Sequence, residues 1–191
     1  MIVRVVSGRR GLSDFIDFPW TIYGDDPNWI APLKASVRAL LDRDKHPFYG
    51  GGRQAEIELF LAYDDRKVVG RIAAIINRAH DRAHGERAGF FGFFECADRT
   101  DAARALLTTA EDWVRERGAE IVRGPVNPST NYECGLLVEG FDRPPVLMMT
   151  YNPRYYVDLI EGAGYTKAKD LWAYFSPVHG ASLERLERLA D

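Results

Sequence analysis

The sequence predicts an α/β fold in which helices cover both faces of a mixed, twisted sheet. Short runs of β-branched and aromatic residues alternate with segments whose apolar residues recur at helical spacing. Between Ala88 and Val126 the two patterns follow one another as strand, helix and strand, an order typical of two parallel strands joined by a right-handed crossover. The length of 191 residues and the hydrophobic fraction of 46% fit one folded domain with its own core.

Charge and cysteine content exclude several classes of protein. The chain has 25 Lys and Arg against 28 Asp and Glu, a net charge of −3, so we expect no nucleic-acid partner. The two cysteines, Cys96 and Cys134, are too few for a disulfide framework and fit a reducing compartment. Charges follow the N-terminus too soon for a signal peptide, and no run approaches ~18 apolar residues. We therefore expect a cytoplasmic protein without a membrane partner.

The first half of the chain predicts three strands. They run from Ile2 to Val6, from Glu58 to Tyr63 and from Val68 to Asn77. The tight turn between the last two predicts a β-hairpin.

Helices and loops separate the first of these strands from the hairpin. Between Leu12 and Trp29 we expect a short helix and then an irregular loop, because prolines interrupt the aromatic residues. A helix opens at Pro32 and ends near Asp44. The glycines at 50–52 predict a flexible loop.

The second half begins with the strand Ala88 to Cys96 and the helix Thr100 to Arg117, with Thr100 or Asp101 as its cap. A strand from Glu120 to Val126 follows. The remaining predictions are a helix opened by Asn152-Pro153, a strand from Tyr165 to Phe175 and an amphipathic helix from Ser182. We assign residues 1–178 to one domain and residues 179–191 to a C-terminal helix, which either starts a further segment or is a tail that docks elsewhere.

Two short motifs have competing interpretations. His80 and His84 are four residues apart and Glu86 follows, a spacing that on a helix brings two imidazoles to one metal. A polar connecting loop explains the segment better, because a paired cysteine motif is absent. Cys134 lacks a nearby base and is better explained as a half-buried small side chain than as a nucleophile. We expect no metal.

The segment N-P-S-T-N-Y-E at 127–133 follows the second parallel strand. Polar side chains at this end of a strand lie where open α/β sheets bind ligands, although such a loop also satisfies its own backbone. If it binds an acceptor, the pocket residues are Asn127, Ser129, Asn131 and Tyr132.

The order of elements resembles the GNAT superfamily of acyl-CoA N-acyltransferases. The likeness is sharpest between Gly85 and Phe175, where Glu161, Gly164 and Tyr165 match the end of the family's second helix block. The resemblance implies transfer of an acyl group from acyl-CoA, with acetyl-CoA the expected co-substrate, to a small-molecule amine. A homo-oligomer is compatible with the sequence, because the aromatic segment Phe15–Trp29 suits a contact surface or a pocket lid.

The resemblance places the cofactor at the start of the long helix, where the family has a glycine-rich loop whose amides meet a pyrophosphate. Only Ala103 fits that loop here, since Asp98 replaces the cation and Asp101 the middle glycine. Two carboxylates stabilise the helix dipole by about 0.3–1 kcal/mol each, but they repel a pyrophosphate. The candidate cofactor-binding residues are Cys96, Ala97, Arg99, Thr100, Ala102, Ala103 and Arg104.

The resemblance also indicates where the acid and the base would lie. The family's usual tyrosine acid is replaced by Ile160, and Tyr156, one turn earlier on the same face, is the substitute; alternatively it is a core tyrosine. Glu95 is the candidate base. Strand alternation places it with Phe91 and Phe93, and aromatic neighbours raise a carboxyl pKa; alternatively it faces water.

Two hypotheses follow. The first is an N-acyltransferase. The second is a catalytically silent GNAT-like module, a ligand-binding or structural half of a two-domain protein, which explains the lost glycines and Ile160 together. An acyltransferase needs the two parallel strands to splay, whereas a silent module can close the gap with side chains. A nucleotide hydrolase is disfavoured, because a phosphate-binding glycine loop and a Mg²⁺-binding carboxylate cluster are absent.

Overall fold

A computed structural model describes residues 1–174 of the chain. Its main sheet has five strands in the order β1-β2-β3-β4-β5. Their bounds are β1 Ile2–Val5, β2 Ala55–Asp64, β3 Lys67–Asn77, β4 Ala88–Cys96 and β5 Ile121–Arg123. The first four pair antiparallel and β4 pairs parallel with β5, so the predicted α/β class, hairpin and crossover are confirmed.

Helices cover both faces of this sheet. The helices are α1 Gly8–Asp17, α2 Pro19–Tyr23, α3 Lys34–Leu40, α4 Arg78–His84, α5 Thr100–Arg115 and α6 Tyr156–Glu161. One buried cluster joins the sheet to α5 and α6, and the other joins it to α1 and to the 3-10 turn Pro47–Gly52. In the described residues no helix is both long and apolar enough to cross a bilayer.

A β-bulge changes which residues of β4 share a face. Arg71 of β3 lies opposite Glu95, but Ala73 lies opposite Gly92, so one extra residue is inserted in β4. Phe93 sits in this bulge with a φ of +48°. As a result Phe91 packs in the α5 cluster while Phe93 packs in the other cluster. The predicted simple alternation, with both rings on one face, is wrong.

The parallel strands separate early. β4 pairs with β5 only from Ala88 to Phe90, and in the described part of the chain no strand pairs with the remainder of that edge. The chain turns away after β5 and forms a separate ribbon from β6 Val126–Asn127 and β7 Glu133–Cys134. The predicted strand Glu120–Val126 is therefore two short strands in different sheets.

Glycine lets this ribbon approach β4. A side chain at Gly92 would place its Cβ 1.6 Å from the carbonyl oxygen of Val126. Only a residue without Cβ fits that space.

Several predicted boundaries need correction. Residues 165–174 form no strand, while Phe175 and the helix expected from Ser182 lie outside the described residues. The N-cap of α5 is Arg99, without a side-chain cap, instead of Thr100 or Asp101. Asn152 does not cap a helix; its side chain is buried and bonds the backbone of residue 137. The histidine segment is the helix α4 and not a loop.

Candidate active site

A buried ion pair lies between the first half of β3 and the end of β4. Glu95 faces Arg71 across the two strands, and the Arg71 Nη2 lies 3.4 Å from the Glu95 Oε1. The side chains are only 9% and 14% exposed. Arg71 Nη1 also donates a hydrogen bond of 2.8 Å to the carbonyl oxygen of Phe15 in α1. This contact holds the guanidinium at a fixed position beneath the carboxylate.

Two tyrosines complete the surroundings of the carboxylate. The hydroxyl of Tyr23 donates to the Glu95 Oε2 at 2.6 Å, and that of Tyr156 donates to the same oxygen at 2.7 Å. Both rings are buried. The structure therefore brings the predicted base and the predicted acid into direct contact.

Burial controls the ionisation of this group. It raises the pKa of Glu95, while the Arg71 charge and the two tyrosine hydroxyls oppose that rise. Burial, followed by the nearby Glu95 charge, raises the pKa of Tyr23 and Tyr156 well above 10, so both phenols stay protonated. A carboxylate whose pKa is raised is a better proton acceptor at neutral pH.

Side chains satisfy the unpaired edge of β4. The amide of Phe93 donates to the Asn127 Oδ1 at 2.6 Å. At Cys96 the amide donates to the Tyr156 hydroxyl at 2.8 Å, and the carbonyl accepts from the Tyr155 hydroxyl at 2.9 Å. The parallel strands thus separate after Phe90, while side chains of the chain itself bond to main-chain groups of Phe93 and Cys96 in the gap.

The predicted cofactor residues gather at the start of α5. Arg99 bonds to the carboxylates of both Asp101 and Asp64, and this pairing is the main cause of the lowered pKa of Asp101. Arg104 donates to the carbonyl of Gly162 just after α6 at 3.3 Å. Arg99 is therefore ion-paired with two carboxylates, whereas Arg104 bonds to a neutral carbonyl, so a bound pyrophosphate would compete mainly with the Arg99 ion pairs.

The other predicted cofactor residues lie at the end of β4 and in the first turn of α5, at both buried and exposed positions. Cys96, Ala102 and Ala103 are buried, and burial raises the pKa of the Cys96 thiol to about 12. Ala97 and Thr100 are at least partly exposed. The first-turn amides of α5 have no backbone partner within the helix, but the Asp101 carboxylate bonds to the amides of Asp101 and Ala102.

The predicted acceptor residues do not form one pocket. Asn127 reaches the β4 edge, as described above. Ser129 is buried and accepts a bond from the Asn131 amide at 3.3 Å. The Tyr132 ring packs against His46 and Phe48 of the 3-10 turn region, with ring centroids 5.9 and 6.5 Å apart. Asn127 bonds to the strand that carries the candidate base, and Ser129 lines a small cavity with Phe90 of the same strand.

The histidines bond within their own region. The His80 Nε2 lies 2.7 Å from Glu86, whose carboxylate also binds Arg123. The His80 and His84 ring centroids are 4.2 Å apart. In residues 1–174 no group of three or more metal-ligating side chains is assembled.

Three residues of the site went unrecognised in the sequence. Arg71 had a signal, since it is the one charge within the apolar run V-V-G-R-I-A-A-I-I. Tyr23 had none, because its position in an aromatic segment gives no partner. Glu133 pairs with Asn127 across β6 and β7. Desolvation by neighbouring protein atoms raises the pKa of the Glu133 carboxyl, while a hydrogen bond with Asn127 and the charge of Arg71 oppose that rise.

Solved acetyltransferases share this architecture. An aminoglycoside acetyltransferase from an uncultured soil metagenomic sample, solved with sisomicin, has a TM-score of 0.54 at 12% identity, over 93% of this chain and 95% of its own. The aminoglycoside 6'-N-acetyltransferase AAC(6')-IG from Acinetobacter haemolyticus gives 0.54 at 12% identity, over 93% and 99%. The fold is the GNAT fold.

Two curated proteins are more similar in sequence. Protein YghO of Escherichia coli is 36% identical over 176 residues, which is 91% of this chain and 44% of that protein. The bacterial ceramide synthase of Caulobacter vibrioides is 40% identical over 164 residues, which is 85% of this chain and 42% of that protein. The chain spans less than half the length of these relatives. No family model matches it.

Proposed function

We propose that this chain is an acyltransferase domain that moves an acyl group from acyl-CoA to an amine. The observation that carries the proposal is the hydrogen-bonded pair of Glu95 and Tyr156 at the splayed edge of β4. In a GNAT fold this pair offers a proton acceptor and a proton donor in one largely buried, hydrogen-bonded group. The solved neighbour AAC(6')-Iy, an aminoglycoside N-acetyltransferase with a TM-score of 0.50, was determined in complex with CoA.

The proposed chemistry is an aminolysis of the thioester. The amine nitrogen bonds to the acyl carbon as the carbon–sulfur bond breaks, and Glu95 accepts the proton that the nitrogen loses. Tyr156 donates its hydroxyl proton to the departing thiolate. The proton on Glu95 then returns to Tyr156 through the 2.7 Å hydrogen bond, which restores both groups. Arg71 stabilises the ionised state of Glu95 before each cycle.

The cofactor would lie along β4 and the first turn of α5. First-turn amides favour an anion, and a pyrophosphate would have to displace the Asp101 carboxylate from the amides of Asp101 and Ala102. The pantetheine arm would replace the hydrogen bonds that the Tyr155 and Tyr156 hydroxyls make with the Cys96 main chain. Asp98 and Asp101 oppose binding, so the affinity for CoA should be lower than that of a glycine-rich loop.

The acceptor we propose is a long-chain amine. A ceramide is a fatty amide of a long-chain amino alcohol, so the ceramide synthase relative has a name that fits N-acylation of such an amine. The aromatic rings beside Glu95 support an apolar acceptor. Trp29 stacks on Tyr23 with centroids 5.1 Å apart, and Trp20 packs edge-on against Trp29 at 5.1 Å.

The alternative is a silent module, and the paired Arg99 and the bonded Cys96 main chain favour it. The discriminating experiment measures thiol release from acetyl-CoA and from long-chain acyl-CoA, with a long-chain amine and with a short one. We expect Glu95→Gln to lower the rate by about 10²–10⁴-fold, whereas the exposed control Glu116→Gln leaves it unchanged. Isothermal titration that finds no CoA binding at millimolar ligand, together with no thiol release, would establish the silent module.

A further inference from the structure

An exposed apolar loop lies at residues 146–149. Val146, Leu147, Met148 and Met149 are 71%, 92%, 53% and 37% exposed. The Met149 amide donates to the Val146 carbonyl at 3.0 Å, which closes a turn, and Met148 has a φ of +64°. Four consecutive exposed apolar side chains are unusual on a folded domain unless they have a function.

The loop is the tip of a closed excursion of the chain. Asn152 accepts a bond from the Leu137 amide at 2.7 Å and donates one to the Leu137 carbonyl at 3.2 Å. These two bonds join the ends of the segment 137–152. A compact loop with closely spaced ends is a recurrent carrier of function.

Two contacts connect this excursion to the candidate active site. The Tyr151 hydroxyl donates to Asp26 at 2.7 Å, and the Tyr151 ring lies 6.1 Å from that of Tyr23. Tyr23 in turn donates to Glu95. Met149 is two residues before Tyr151, so their Cα atoms are at most about 7 Å apart. The apolar loop therefore lies close to Tyr23, one of the aromatic residues beside Glu95 that the proposed acceptor would contact.

We propose that the apolar loop inserts into the interface of a lipid bilayer and presents Glu95 to an amphiphilic amine held there. The inference rests on the proposed function, because only a long-chain acceptor would need this route. It departs from the absence of a membrane partner that composition led us to expect. All four side chains are exposed on a single closed turn, which suits insertion into a fluid phase more than docking of a folded partner.

The charges around the loop indicate which lipid it needs. Within the excursion, Glu139 and Asp142 outnumber Arg143, so the segment has no excess positive charge. Arg143 is already paired with Asp142 at 3.7 Å. Interfacial binding depends on buried apolar area and on attraction to anionic lipid. Since the second contribution is missing here, zwitterionic vesicles should suffice and salt should have little effect.

The test is co-sedimentation of the full chain with phosphatidylcholine vesicles. We expect the wild-type chain to bind, and Leu147→Asp to lower the partition coefficient by about tenfold or more. Because Leu147 is 92% exposed, the variant should fold normally, which circular dichroism checks. The control Ile2→Asp changes another exposed apolar residue, on edge strand β1, and should bind like the wild type.

Several results would overturn the proposal. These are failure of the wild type to bind, equal binding by Leu147→Asp, or binding that requires anionic lipid and disappears in about 0.5 M salt. A wild-type dimer that Leu147→Asp converts to a monomer would assign the loop to a second copy of the chain instead. Thiol release with a short amine but no vesicle binding would refute only the membrane contact. Loop-dependent binding without thiol release from any acyl-CoA would refute the proposed function and leave the contact standing.

Discussion

Replacing Arg71 by methionine tests the electrostatics of the candidate site directly. The substitution keeps a long apolar stem but removes the charge that compensates Glu95. The carboxylate side chain is 14% exposed and its remaining partners are the two neutral tyrosines. Breaking a buried pair by removing one partner typically destabilises a protein by about 3–5 kcal/mol. We expect Arg71→Met to lower the free energy of unfolding at pH 7 by that amount.

Two contributions make up this figure. The hydrogen bond from Arg71 to the Phe15 carbonyl contributes about 1 kcal/mol. The rest, about 2–4 kcal/mol, is the uncompensated charge on Glu95. The double variant Arg71→Met with Glu95→Gln removes the charge while an amide oxygen still accepts from both tyrosines. It should therefore recover about 2–4 kcal/mol relative to the single variant.

The pH dependence follows from the sign of the shift. The folded pKa of Glu95 already lies above the ordinary value of 4.5, and loss of Arg71 raises it further. Between the unfolded and folded pKa values the native state binds more protons, so stability falls as pH rises. The penalty of Arg71→Met should be largest at pH 7 and shrink as pH falls toward 5.

Urea unfolding at pH 5, 6 and 7 measures these quantities. Arg66→Met, in the exposed hairpin turn, is the control and should change stability by less than about 0.5 kcal/mol. A loss below about 1 kcal/mol for Arg71→Met, with the same pH dependence as the wild type, would refute the buried ion pair.

Three further substitutions or labels test other contacts. Tyr156→Phe leaves a strand amide unpaired and should cost about 1–3 kcal/mol in urea unfolding; an unchanged midpoint would contradict this contact. Gly92→Ala forces the carbonyl of β6 to move and should lower the melting temperature sharply, whereas Gly11→Ala, with only ordinary contacts, should match or exceed the wild type. Burial raises the pKa of Cys96 to about 12, so a thiol reagent at pH 8 should label half-buried Cys134 first, and Cys96 only in denaturant; simultaneous labelling would argue against that burial.

Local patterns were enough to predict the first four strands of the main sheet. The hairpin of β2 and β3 follows from two β-rich runs around a tight turn, and β4 was predicted with the bounds that the structure has. The long helix α5 follows from a single apolar stripe. These elements depend on contacts close in sequence or on strong periodicity, which one sequence displays.

The geometry of the candidate site depends on a β-bulge and on long-range contacts, which sequence periodicity does not encode. The bulge at Phe93 places one extra residue in β4, so strict alternation assigned Phe91 to the wrong face, although Glu95 and Phe93 do share one. The Tyr23 hydroxyl bonds to Glu95, which is 72 positions away in the chain, and no local sequence pattern predicts such a partner. The acceptor residues were chosen for their place after a parallel strand, but β5 ended early and the following segment formed its own ribbon.

The side-chain bonds along the free edge of β4 have a consequence for the protein in concentrated solution. A strand with vacant amides and carbonyls can recruit a strand from a neighbouring molecule, which starts aggregation. Here Asn127 bonds to the amide of Phe93, and Tyr156 and Tyr155 bond to the amide and the carbonyl of Cys96. At these positions β4 therefore offers no free main-chain group to a neighbouring chain, and a ligand that displaced these side chains would have to bond to the same groups to keep that protection.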